Sequence, residues 1–314
     1  MNLGKPNLEV FADTLLEAAR QDHDLLVLTS DSRGSARLDG FCQALPEQVV
    51  EVGIAEQNLV GVAAGLAAAG KKAYAVSPAC FLTARSLEQI KSDVAYSDHP
   101  VKLVGISAGV SYGALGATHH SLHDFAALQA INNLDIVVPG DNYETRQAIL
   151  ASLSHPRPLY LRFGKKPLPH LHSPKTHFEI GKAIHLSHGE DVQFIATGET
   201  VYRAVMAQEI LRQAGISAGV TSMHTLKPLD REAVLQAARS TRLLITVEEH
   251  SVYGGLGATC AALLLEHGLH PLFKIVAFPD EYMVSGSQDD IFRHYGISPE
   301  GLAQTAMQLL KGAR

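Results

Sequence analysis

Cysteine is scarce and scattered: Cys42, Cys80 and Cys260 are the only three in 314 residues, and no two are close in sequence. An odd number without a close pair excludes a disulfide framework and a thiolate zinc site, and fits a reducing cytoplasm. Blocks of like charge are missing too. Charged residues make up 18% of the chain, the net charge is −6, and the Lys and Arg residues form no basic stripe. Such a surface offers no electrostatic footprint to nucleic acid or to an acidic membrane. The apolar run 60–69 is too short to span a bilayer. The start MNLGKPNLEVF has no charged segment followed by an apolar core, so the expectation is a soluble, unprocessed protein. Internal repeats and low-complexity segments are also absent.

What is present is globular. Hydrophobic residues account for 46%, and the length suffices for two domains with full cores. In the first half, helical patterns at 8–20, 56–69, 86–96, 124–132 and 143–153 alternate with apolar runs at 25–28, 73–76, 101–106, 136–138 and 159–162. That alternation predicts a parallel sheet with helices stacked on both faces. The segment 164–177, GKKPLPHLHSPKTH, is rich in proline and histidine, lacks periodicity and reads as a linker. Beyond it, strands are expected at 192–196, 217–222, 243–247 and 274–277, with helices at 202–214, 231–238, 257–267 and 298–310. The expected fold class is α/β: two successive three-layer domains with mainly parallel sheets, at 1–165 and 186–314, joined by a linker at 166–185.

The stretch Glu51 to Gly70, EVGIAEQNLVGVAAGLAAAG, places Glu56 in the first turn of an Ala-rich helix, with Gly61 and Gly65 available for close approach by another helix. On periodicity alone Glu56 complements the helix dipole. Thr118-His119-His120 lies in a Gly- and Ala-rich loop after a predicted strand, and can project from the carboxyl end of the sheet, where open α/β folds bind ligands. The Gly254 to Gly257 run is too short for a dinucleotide fingerprint and reads as a tight turn opening a helix. Asp31 and Ser35, in TSDSRGS with Arg33 between them, read on their own as a turn or helix cap.

The Glu51 to Gly70 stretch resembles the Glu-containing motif of the transketolase family of thiamine-diphosphate enzymes. The likeness continues through FLTARSLEQIKSD at 81–93, GALGATHHSLHD at 113–124 and VPGDNYE at 138–144, in the family's order. MHTLKPLD at 223–230 and VEEHSVYGGLG at 247–257 resemble its C-terminal domain, so the likeness covers nearly the whole chain. It implies a thiamine-diphosphate-binding fold pyrimidine domain followed by a transketolase C-terminal domain. The family's diphosphate and divalent metal, Mg2+ or Ca2+, are held elsewhere, by a Gly-Asp-Gly motif and later paired asparagines that this chain lacks. Gly140-Asp141-Asn142 is a decoy, with Asn132-Asn133 ahead of it.

The resemblance therefore implies the C-terminal subunit of a split transketolase, a cytoplasmic transferase active only with a separate diphosphate-binding subunit. Half of each site lies here, so the assembly would hold at least two copies of each chain, as in a heterotetramer. Glu56 matches the carboxyl group that hydrogen-bonds the cofactor's pyrimidine ring nitrogen and lets the thiazolium carbon lose its proton. Phe81 is the candidate for stacking on that ring, although an ungapped count from Glu56 puts Ala79 and Leu82 on the family's aromatic positions. His119 aligns with a residue that meets the ketose donor near its carbonyl, with His120 beside it. Asp31 matches a position near the thiazolium ring and Ser35 one at the donor phosphate. Ser107 stands where a phosphate-binding histidine is usual, and Lys165 replaces an Arg, giving a point charge in place of a bidentate fork. Leu115 replaces the carboxylate that reads the acceptor hydroxyl, which implies altered substrate choice in carbohydrate or pentose phosphate metabolism. Glu248, Glu249 and His250 are read as structural, and Arg85 and Gln89 carry no assigned role.

Three other readings stay open at this point: the beta subunit of a 2-oxoacid dehydrogenase, a 1-deoxyxylulose-5-phosphate synthase-like enzyme, and a regulatory or scaffolding remnant. Thr118-His119-His120 speaks against the first, the missing diphosphate domain against the second, and retention of Glu56 and His119 against the third.

Overall fold

The computed structural model describes residues 2–312. The strands are β1 Leu3–Pro6, β2 Leu25–Thr29, β3 Val49–Glu51, β4 Lys72–Pro78, β5 Lys102–Ile106, β6 Asp135–Val137, β7 Leu159–Arg162 and β8 Pro167–Pro169. They continue with β9 Ile184–Ser187, β10 Val192–Ala196, β11 Ala218–Ser222, β12 Thr225–Lys227, β13 Leu243–Ser251 and β14 Leu272–Phe278. A seven-stranded sheet has the order β12-β6-β7-β5-β4-β2-β3, and a five-stranded sheet the order β14-β13-β10-β11-β9. Both are parallel except at one edge, where β12 and β9 run antiparallel to their neighbours. The expected α/β class with mainly parallel sheets is what the structure has.

Interior strands such as LLVLT of β2 and LYLR of β7 carry almost unbroken burial, as strands covered on both faces must. One face of the large sheet packs Leu8, Phe11 and Leu15 of the first helix against Val27, Tyr74 and Val104. On the other face, Leu59, Val60 and Ala63 of the Ala-rich helix join a cluster that reaches Ile195, Met223 and Leu244 of the second unit. Each fully buried Leu or Val side chain contributes about 1.5–3 kcal/mol by removal from water. That core is continuous across the two halves of the chain, and β12 leaves the second unit to pair with β6 of the first. Nothing in the periodicity signals that exchange.

Other differences are local. The helix expected over 86–96 is present from Leu87, α-helical over Leu87–Gln89 and π-helical over Ile90–Tyr96, and a break separates it from a preceding helix Ala79–Arg85. Ser86 sits at the break with φ −108° and sends its hydroxyl back to the carbonyl of Leu82, competing with the helical ladder. The expected close approach at Gly61 and Gly65 is not made within this chain. A Cβ at Gly61 would meet only Asp93 at 3.9 Å, and one at Gly65 nothing within 4 Å. Gly254, at φ +69°, does make the tight turn that opens the helix Leu256–Glu266.

Residues 166–185 connect the two sheets without hanging free. β8 pairs antiparallel with β1. His172 is enclosed between Asp141 (3.0 Å) and Glu144 (3.2 Å), and the Asp141 carboxylate also accepts the backbone N–H of Leu171. Burial opposes charge on that imidazole, but the two carboxylates outweigh it and push its pKa up to about 10. Among the described residues, no helix is long and apolar enough to cross a membrane.

Candidate active site

Five neighbouring parallel strands, in the order β7-β5-β4-β2-β3, deliver their carboxyl ends to one edge of the large sheet. β2 leads into loop 30–38, β3 into the turn before Glu56, β4 into the helix Ala79–Arg85, β5 into loop 107–123, and β7 into Lys165. All the site residues read from the sequence lie on these five connections. This edge is where parallel sheets bind ligands.

Glu56 is the first residue of the helix Glu56–Ala68 and only 4% exposed, yet it lines a cleft of about 360 Å³ with Ile54, Ala55, Gln57 and Arg85. Both of its carboxylate oxygens accept from a single nitrogen, Nη1 of Arg85, at 2.9 and 3.0 Å. Arg85 ends the helix Ala79–Arg85, where a cation suits the helix dipole, and its guanidinium lies 4.1 Å from the centre of the Phe81 ring. Phe81 is half-buried and meets His119 edge-on at 5.4 Å; His119 in turn meets Tyr112 at 5.5 Å. The Lys165 ammonium stands 4.5 Å from the centre of the Tyr112 ring. Glu56, Arg85, Phe81, His119, Tyr112 and Lys165 thus form one unbroken row of contacts. Ala79 and Leu82, the ungapped alternatives to Phe81, are fully buried in the core.

The remaining candidates sit around this row. Thr118 Oγ1 lies 3.0 Å from His119 Nδ1. His120 is buried, and its Nε2 donates to the Gly113 carbonyl at 2.9 Å, so it braces the loop that presents His119. Burial pushes the His120 imidazole below its ordinary pKa. Ser107 is buried at the root of the same loop with φ 52°, a conformation that non-glycine residues rarely hold. Asp31 has φ 54° and an exposed side chain, and its N–H donates to Glu51 at 2.8 Å. Ser35 is exposed. Among the described residues, neither Asp31 nor Ser35 hydrogen-bonds a member of the row. Leu115 is 56% exposed.

Three features escaped the sequence reading. Arg85 was visible inside its motif, but only the fold brings it to Glu56, 29 residues away. Tyr112 stands just ahead of the 113–124 motif and carries no signal beyond being aromatic. Arg37, at φ 60°, is near enough for its charge to act on Lys165: burial and this second cation push the Lys165 ammonium below its ordinary pKa. No carboxylate forms an ion pair with either cation among the described residues. Glu51 fixes the loop below them. Burial works against its charge, but the N–H groups of Asp31 and Gly53, the Thr29 hydroxyl and Arg33 hold its carboxyl below the usual range.

Glu248, Glu249 and His250 extend β13 into the boundary between the two units. Glu248 caps the helix Leu256–Glu266 through the N–H groups of Leu256 (2.7 Å) and Gly257 (2.8 Å). Glu249 accepts the Val110 N–H and the Gln288 amide, both at 2.9 Å, while His250 stacks on Phe125 at 4.7 Å. Arg162 binds Asp124 at 2.7 Å and the Glu249 carbonyl at 2.9 Å. These contacts tie the second unit to the loop that carries His119.

Comparison with known proteins matches residues 6–170 to the family model described as transketolase, pyrimidine binding domain, and residues 181–302 to transketolase, C-terminal domain. The chain is 49% identical over 302 residues to a subunit of an apulose-4-phosphate transketolase of Phocaeicola vulgatus, covering 96% of each. It is 35% identical over 301 residues to a 6-deoxy-6-sulfo-D-fructose transketolase subunit of Clostridium sp., covering 96% of this chain and 93% of that one. A solved structure described as "Split gene transketolase, inactive beta4 tetramer" superposes with a TM-score of 0.87 at 32% identity, over 98% of this chain and 99% of that one.

Proposed function

The chain belongs to the transketolase family, and from that membership we propose that it is the pyrimidine-binding subunit of a split, cytoplasmic transketolase. Its reaction is transfer of a two-carbon ketol unit from a ketose phosphate, or a similarly anionic ketose, to an aldose. The observation that carries this reading is the row from Glu56 to Lys165 along the carboxyl edge of the sheet.

The residues fit thiamine diphosphate: a buried carboxylate faces an open cleft, and a half-buried aromatic ring stands next to it. When bound, that cofactor supplies a carbon nucleophile able to attack a ketose carbonyl. Glu56 accepts a ring N–H and holds a proton at the pyrimidine nitrogen. Phe81 gives an apolar wall, and His119, in edge contact with that wall, hydrogen-bonds the sugar near its carbonyl. Lys165 and Arg37 set two cations beyond Tyr112, where a terminal phosphate or sulfonate is held, with Ser35 and Ser107 nearby on the same sheet edge. The sugars in the names of the two relatives, apulose 4-phosphate and 6-deoxy-6-sulfo-D-fructose, are both anionic, which supports that assignment. Asp31 stands toward the thiazolium side. Leu115, in place of a carboxylate, leaves the acceptor aldose to be read by other groups.

The diphosphate and its Mg2+ are assigned to a second polypeptide, in an assembly with at least two copies of each chain. Co-expression with a diphosphate-binding chain, followed by a screen of ketose donors with thiamine diphosphate and magnesium, tests the proposal. The assembled complex is expected to transfer ketol units, and the isolated chain to bind the cofactor weakly without turnover. Tight, magnesium-dependent binding by the isolated chain would show the split-site assignment to be wrong.

A further inference from the structure

The two features that a pyrimidine ring needs at this site, the Glu56 carboxylate and the Phe81 ring, are both held by the same side chain. We propose that Arg85 is a positioning residue that fixes the Glu56 carboxylate for the cofactor and ties it to the wall that His119 shares; this rests on the function proposed above. Glu56 is 4% exposed, and its only hydrogen-bond partner among the described residues is Arg85. A buried carboxylate without a partner loses its water with nothing in return, and nothing would fix its rotamer.

Arg85 answers both needs in a way that leaves the acid available. One nitrogen, Nη1, reaches both oxygens end-on at 2.9 and 3.0 Å. A carboxylate offers about four acceptor positions, so the remaining ones stay free to receive a ring N–H from the cleft of about 360 Å³. The direction of that nitrogen is set in turn by stacking. Phe81 lies four residues earlier on the same helix, and the guanidinium rests 4.1 Å from its ring centre. The Phe81 edge then meets His119. A lysine at 85 would keep the charge but lose the plane that stacks and the end-on geometry.

The experiment uses the chain assembled with its diphosphate-binding partner, with thiamine diphosphate and magnesium as the probe. Calorimetric affinity, exchange of the thiazolium proton and ketose KM are compared for wild type, Arg85→Met, Arg85→Lys, Glu56→Gln and the Arg85→Met/Glu56→Gln double variant. Loss of a charge-assisted hydrogen bond predicts roughly tenfold or greater weakening of cofactor binding by Arg85→Met. Slower proton exchange should accompany it, with the ketose KM unmoved and only partial rescue by lysine. Because Arg85 acts through Glu56, Arg85→Met should add little in the Glu56→Gln background. Unchanged binding in Arg85→Met, or full additivity with Glu56→Gln, overturns the proposal. Tighter binding overturns it as well, since Arg85 would then merely cover the carboxylate. Failure of the wild-type assembly to bind the cofactor removes the functional reading and this inference together, whereas wild-type binding that ignores Arg85 removes this inference alone.

Discussion

Glu56→Gln separates what Glu56 does for folding from what it does for catalysis, because the structure sets the two effects at different sizes. The substitution keeps shape and volume at a site that is 4% exposed, so no cavity opens. Its structural cost is the Arg85 ion pair, and the Arg85 side chain is 47% exposed and keeps much of its hydration. Half-exposed pairs are worth about 0.2–1 kcal/mol, and the glutamine carbonyl still accepts one of the two bonds. The melting temperature should therefore fall by no more than about 3 °C for a chain of this size. The loss of a positioned proton-holding group, in contrast, should lower turnover by roughly 10²- to 10⁴-fold, or about 2.7–5.4 kcal/mol of barrier. Thermal melts of the variant, proton exchange at the thiazolium carbon and ketol transfer in the assembled enzyme measure the two sides. Turnover within about fivefold of wild type, far below the loss expected for such a group, would return Glu56 to the role of a dipole-complementing acid. A melting shift that accounts for the whole activity loss would make it a structural residue.

His119→Ala should leave thiazolium proton exchange near wild type while slowing transfer from the ketose by roughly 10²-fold, because a hydrogen bond at the reacting centre is lost; equal damage to both steps would contradict the donor-facing role. Lys165→Ala should raise the KM of phosphorylated donors by roughly tenfold or more and leave unphosphorylated analogues unaffected, as expected for one lost charge-assisted contact, and steady-state kinetics on matched donors decides it. His172 predicts a pH-dependent stability. Its pKa is raised from 6.5 to about 10, so its contribution is full below pH 6.5 and lost as pH rises through about 10. Wild type should be more stable than His172→Gln near neutrality, with the gap closing as pH rises through about 10; a gap that does not depend on pH would show that the imidazole is uncharged.

The fold class was written in the chain locally. Runs such as 25–28, 101–106 and 159–162 are mostly apolar, with Lys102 and Arg162 the charged exceptions, and are separated by helical periodicity; burial on both sides of a parallel sheet leaves few other solutions. Glu56 and His119 stand out in the sequence through the resemblance of the motifs around them to the transketolase family, since periodicity alone leaves Glu56 as an acid that complements a helix dipole. The composition of 164–177 shows only a lack of periodicity, and that says nothing of His172, whose ordering comes from two carboxylates on another element.

Other features appear only when distant segments meet. Arg85 becomes the partner of Glu56 because β3 and β4 flank β2 and point their carboxyl ends the same way. The charge of Arg37 acts on Lys165 although the two follow strands far apart in sequence. The transfer of β12 to the first sheet, and the burial of Glu249 against Val110 and Gln288, depend on how the two units dock. Sequence alone determines which segments form strands and helices, because burial pattern and propensity act over a few residues. Tertiary structure decides which side chains share a site, because hydrogen bonds, ion pairs and ring contacts act over a few ångströms in space without regard to separation along the chain.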